Sequence, residues 1–204
     1  MCSRMIARCA LVVMVLVTLT GGCQCSKPKR IHGPKINPHA GADALAMFDQ
    51  DRDGALSGKE LDRCPGLKAA LPRLDPDKTG AVTAEMIDAR IKAWRAQVVG
   101  RGVVRCFVSR NGQPLPGAEV KFVPEKFLGD DIQTAAGVTD ARGLALVHAP
   151  PEKGERPGVT PGFYRVEITK PGLAVPARYN TNTTLGAEIS SDDRYTPLRF
   201  DLAF

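Results

Sequence analysis

Residues 49–60 read DQDRDGALSGKE, with Asp49, Asp51 and Asp53 at alternate positions, Gly54 after them and Glu60 six places beyond the glycine. In a twelve-residue cation loop these are positions 1, 3, 5, 6 and 12. Ala55 at position 7 can offer its backbone carbonyl, Ser57 at position 9 can act through a water, and Glu60 can bind with both oxygens. Two like charges 4 Å apart repel by about 4 kcal/mol at an effective dielectric of 20, so four carboxylates in one turn disfavour closure until a cation enters. A hard ion that takes many oxygens in loose geometry answers that repulsion. Calcium does so better than magnesium, which demands fewer ligands and stricter angles.

The pattern resembles the calcium loop of EF-hand proteins at every ligand position, and Leu56 at position 8 is the apolar residue expected to pair with a partner loop. A second stretch, DPDKTGAVTAEM, covers residues 75–86. Asp75, Asp77 and Thr79 fall at positions 1, 3 and 5, with Gly80, Ala81, Val82 and Thr83 at 6 to 9. Position 12 is Met86, and Glu85 comes one place early. A thioether cannot replace a bidentate carboxylate on a hard cation. Either Glu85 reaches inward in a reshaped loop, or this half binds weakly or not at all. Its expected role is to brace the first loop, Val82 against Leu56.

Short helices must position both loops. The stretch ADALAMFDQD predicts one ending at Phe48, and SGKELDRC and PGLKAALPRLD predict two more. Pro65 suits a first helical turn, and Leu67, Leu71 and Leu74 share a face. In TAEMIDARIKAWRAQ, Thr83 can cap a helix whose Ile87, Ile91 and Trp94 recur at helical spacing. From Gly100 the texture changes to period-two segments between Gly/Pro turns: Val120 and Phe122; Tyr164, Val166 and Ile168; Leu198, Phe200, Leu202 and Phe204. About a hundred residues of that kind argue for an antiparallel β-sandwich. The expected fold class is therefore α + β and multidomain, with a small all-α pair of hands at 43–99 and the sandwich at 100–204.

The N-terminus reads as a targeting signal. Arg4 and Arg8 precede the apolar run CALVVMVLVTLT, and small residues lead to a cysteine, so residues 1–22 are expected to be a secretory signal peptide. The stretch LTGGCQ resembles a bacterial lipoprotein signal, with Cys23 as the lipidated residue of the mature chain; ordinary cleavage near Gly22 and an uncleaved anchor are the alternatives. Lipid at Cys23 would attach the protein to a membrane, and each alternative places the rest outside the cytoplasm, in the cell envelope. Residues 23–42, rich in Pro, Gly and base, are expected to be a flexible tether. Across the chain 28 Lys+Arg against 22 Asp+Glu give +6, but no basic block with interleaved aromatics appears, which argues against a nucleic-acid partner. Beyond the signal and Cys23, Cys25, Cys64 and Cys106 remain; Cys64 and Cys106 are expected as small buried hydrophobes.

The stretch VVRCFVSRNGQPLPGAEVKFVPE, followed by VTDARGLALV, resembles carboxypeptidase regulatory-like, transthyretin-like domains. Gly112, Pro114, Leu115, Gly117, Ala118 and Val120 match the family's first turn and strand, and Thr139, Asp140 and Gly143 its hairpin. TPGFYRVEITKPG matches a later strand, and VPARYNTNTTLGAEIS resembles an ending common in envelope proteins of planctomycete-type bacteria. The resemblance implies a seven-stranded sandwich that supports or binds and does not catalyse. Two rivals remain. One is a calcium-dependent adhesion or carbohydrate-binding module, with an envelope protein or a glycan as partner. The other is a hydrolase, for which His148, the only histidine after residue 100, is a poor start.

Overall fold

The computed structural model describes residues 36–97, 101–151, 157–193 and 196–204. The expected signal peptide and Cys23 lie outside them.

Four helices occur among the described residues: α1 (Ala40–Phe48), α2 (Gly58–Asp62), α3 (Pro65–Leu74) and α4 (Ala84–Ala96). Their inward faces are apolar, as the spacing predicts: Leu67 and Leu74 of α3 are buried, as are Ile87, Ile91 and Trp94 of α4, while Leu71 is half-buried. Between α1 and α2 lies the three-residue strand β1 (Ala55–Ser57), and between α3 and α4 lies β2 (Ala81–Thr83). They pair antiparallel with Leu56 opposite Val82, the register expected from the two loop positions.

The tether expected over 23–42 ends sooner than its composition suggests. Ile36 and Ala40 are buried. Asn37 donates from its backbone to Leu128 O at 2.9 Å and from Nδ2 to Phe127 O at 2.9 Å and Asp43 at 2.6 Å, and Arg95 donates to Ile36 O. The polar composition that reads as linker is used here to fasten the entry of α1 to the short 3-10 turn Lys126–Leu128.

The remaining strands form two sheets. One joins β3 (Val104–Arg110) to β10 (Leu198–Leu202) on one side and to β7 (Leu144–Val147) and the short β4 (Gln113–Pro114). The other runs β6 (Ala135–Val138), β5 (Glu119–Pro124), β8 (Gly162–Thr169), β9 (Gly186–Ile189), all antiparallel. An isolated bridge between Ala136 and His148 links the two sheets at the β6–β7 side. Two expectations need correction. The described residues hold eight strands in two four-stranded sheets where seven were expected, the short β4 among them. The sheets are also not wholly antiparallel, because β10 runs parallel to β3, Leu198 beside Cys106 through Leu202 beside Arg110. Alternation fixes which face of a strand is buried but carries no information on its direction. The chain leaves β9 in one sheet and re-enters at the open edge of the other.

The helical residues 43–99 and the strand residues 100–204, read from sequence as two modules, meet within the compact unit Ile31–Phe204. The entry of α3 comes so close to the second sheet that a Cβ on Gly186 would lie 1.8 Å from Pro65 O, and one on Gly66 would lie 2.9 Å from Tyr164 N. Apolar side chains from both regions pack in a single core.

Candidate metal centre

The first loop starts where α1 stops. Asp49 caps the helix through its backbone N–H to Leu45 O at 2.9 Å, and its side chain folds back over the loop. Asp49 Oδ1 accepts from Arg52 N at 2.6 Å and Oδ2 from Gly54 N at 3.1 Å. Asp51 Oδ1 accepts from Asp53 N at 3.2 Å, and Asp53 Oδ1 from Ala55 N at 2.8 Å. Each aspartate thus uses a backbone N–H to fix its own rotamer. Arg52 and Gly54 take φ of 60° and 87°, and these two left-handed residues turn the chain around the carboxylates. The result is that Asp49, Asp51 and Asp53 each offer an oxygen within 4.8 Å of the others, on the exposed side of the loop. An acidic triad of that size could hold a metal ion.

Glu60 closes the loop from the other end. It lies in the first turn of α2, is only 8% exposed, and accepts from Gln50 N at 2.7 Å and Ser57 N at 3.0 Å. The Gln50 and Ser57 N–H groups hold its carboxyl below the ordinary glutamate range, against burial and the nearby Asp49 charge. Glu60 is therefore kept ionised, with its carboxylate fastened to the loop backbone, but it is not among the three side chains whose oxygens converge. Ala55 and Ser57 sit in β1, where the ladder to β2 fixes their backbone.

The second loop repeats the turn without the cage. Lys78 and Gly80 take φ of 57° and 78°, the same two loop positions as Arg52 and Gly54. Asp75 is buried and accepts from Thr79 N at 3.0 Å, Thr79 Oγ1 at 3.1 Å and Gly80 N at 2.7 Å. These donors, Thr79 N–H first, keep it ionised. Asp77 is exposed, and Ala81 and Thr83 belong to β2. Glu85 is held at the start of α4 by the Thr83 hydroxyl and its own backbone N–H, which lower its pKa. Met86 packs against the core. Among the described residues the aspartates of the first loop form the only convergent group of three or more acidic or metal-ligating side chains.

The remaining candidates lie away from the two loops. Thr139 Oγ1 accepts from Ala118 N at 2.8 Å and donates to Leu115 O at 2.6 Å, and Asp140 Oδ1 accepts from Arg142 N and Leu144 N. These residues hold the hairpin that the sequence resemblance singles out. His148 is exposed at the end of β7. Cys64 and Cys106 are buried and unpaired, and burial raises both thiols, Cys106 to about 12.

Sequence reasoning misses two buried carboxylates where the helices meet the sheet. Glu188 of β9, its side chain 2% exposed, accepts from Arg90 Nε at 2.5 Å, Trp94 Nε1 at 3.1 Å and Arg73 at 3.2 Å. Arg90 also grips Asp192 at 2.9 and 3.1 Å. Glu125 of the strand-exit turn accepts from Gly66 N at 2.9 Å, and burial raises its pKa against the pull of that N–H and of Arg165. Nothing local in GAEIS or VPEK signals this, because the arginine and indole donors to Glu188 are far away in sequence.

Comparison with known proteins yields no relative: no family model, no curated sequence and no solved structure matches the chain.

Proposed function

We propose that this protein is a calcium-binding component of the cell envelope, in which an EF-hand pair is joined to a transthyretin-like β-sandwich. The observation that carries the reading is the meeting of Asp49, Asp51 and Asp53 oxygens within 4.8 Å, in a loop that supplies the other ligand positions in order. Ala55 O, a water held by Ser57 and the Glu60 carboxylate complete a seven-oxygen shell of the kind calcium accepts. The matching left-handed residues of the second loop and the Leu56–Val82 pair support a hand that braces rather than binds. One ion per chain follows, with a dissociation constant on the order of 10⁻⁴–10⁻³ M, as for extracellular modules of this kind.

The sheets serve a supporting or interaction role, and no catalysis is assigned to them. The signal-like N-terminus supports a location outside the cytoplasm, with lipid at Cys23 as the attachment to the membrane. Titration calorimetry of wild type beside Glu60→Gln tests the metal reading. Wild type is expected to take one calcium, and the variant to bind more weakly by about tenfold or more, since losing a direct ligand costs at least as much as losing an outer-shell partner. Equal affinities would overturn it.

A further inference from the structure

Modules joined only by a linker open independently, and interfaces between domains of one chain are commonly modest and polar. The junction here is different in kind. Three donors from two helices converge on one carboxylate from β9: Arg73 at the end of α3, and Arg90 and Trp94 on α4. The Trp94 ring packs against that of Phe163 of β8 in a tilted contact, centroids 4.7 Å apart and planes at 59°. At the other end of α3, Gly66 N is held by Glu125, and the Gly186 backbone lies against Pro65 with no room for a methyl group. The cation loop is tied to this junction twice, through α2 into α3 and through the β1–β2 ladder into α4. Separating helices from sheet would break the Glu188 bonds and expose apolar surface on both sides together.

We propose that the cation loop and the sheets open as one unit cross-linked through Glu188, so that a cation at Asp49–Asp53 protects the core of the sheets as strongly as its own helices. The trigger rests on the calcium reading above; the cross-link rests on the junction alone. The ion need not touch the sheet. It stabilises the closed state, and every group hidden only in that state gains the same protection.

The chain carries its own probes. Cys64 is buried at the entry of α3 and Cys106 is buried in β3, and neither is in a disulfide. Alkylation of the full-length chain, resolved thiol by thiol from peptide masses, reads the opening of each region. With calcium at about ten times its dissociation constant, both thiols are expected to react about tenfold more slowly, and by the same factor. In Glu188→Gln the factors separate: Cys106 loses more of its calcium protection than Cys64, which also lies beside Glu125 at the other end of the junction. Calcium protection confined to Cys64 in wild type would overturn the proposal. A parallel series in dilute urea without calcium keeps the two readings apart: equal urea dependence at both thiols supports the cross-link, and unequal dependence refutes it. Equal urea dependence with no calcium effect at either thiol would sink the calcium reading and leave the cross-link standing.

Discussion

Leu56 and Val82 stand opposite each other across the short ladder between the two loops, and both side chains are fully buried. The ladder ties the acidic loop to its neighbour, so the geometry of the triad depends on a pair of apolar residues that carry no ligand atom.

Truncating Leu56 to Ala is therefore expected to damage stability and cation binding together. A buried Leu→Ala change costs about 2–5 kcal/mol, depending on how far the site collapses. Urea unfolding without calcium reads the first effect, and calorimetry at a concentration where the variant is folded reads the second. Unchanged calcium affinity in a folded Leu56→Ala protein would show that the ladder does not set the loop.

The contrast between what the sequence discloses and what it hides follows from range. The turn of the first loop is legible because its acidic residues, its glycine and Leu56 all lie between residues 49 and 60. Helix faces such as Ile87, Ile91 and Trp94 are legible for the same reason: their period is local. The parallel placement of β10 beside β3 is not, because strand direction leaves no mark on alternation. Nor is the role of Glu188, whose donors Arg73, Arg90 and Trp94 are brought to it only by the packing of α3 and α4 on the sheet. Residues 36–42 mislead in a third way. Their composition is that of a linker, but Asn37 and Arg95 convert the segment's polar groups into anchors.

Two of the buried glutamates, Glu125 and Glu60, differ in sign. Glu125 has its pKa raised above 4.5, chiefly by burial, so its contribution is present below the unfolded value and is lost as pH rises through the folded one. At neutral pH the ionised group is a liability. Glu125→Gln keeps an oxygen for Gly66 N and removes the buried charge, and is expected to be more stable than wild type at pH 7. The advantage should shrink as the pH falls through the raised value toward 4.5. Urea titrations across that range decide it, and a variant less stable at pH 7 would show that Arg165 outweighs desolvation.

Glu60 behaves in the opposite way. Its pKa is lowered by the Gln50 and Ser57 N–H groups, so its contribution is present above the unfolded value of 4.5 and disappears as pH falls through the folded one. In chelator, Glu60→Gln is expected to be less stable than wild type at pH 7 and to match it in strong acid. A gap that stayed constant with pH would assign the loss to packing instead of to the charged hydrogen bonds.

Two glycines separate conformation from space. Gly54 takes φ of 87° with nothing within 4 Å of where a methyl group would sit, so Gly54→Ala strains only the backbone, by about 1–2 kcal/mol, and acts at the cation loop. Gly186 has no such φ, but a methyl there would sit 1.8 Å from Pro65 O and must push α3 off β9. Overpacking of this kind costs about 1–3 kcal/mol or more. Thermal unfolding of the two variants with and without calcium should therefore give different patterns. Gly54→Ala is expected to lose most of its calcium-induced rise in Tm. Gly186→Ala should start from a lower Tm and also unfold less cooperatively, because the wedge falls at the junction that joins helices to sheet. If Gly186→Ala melted as sharply as wild type, the close approach of Pro65 to β9 would not be what couples the two regions.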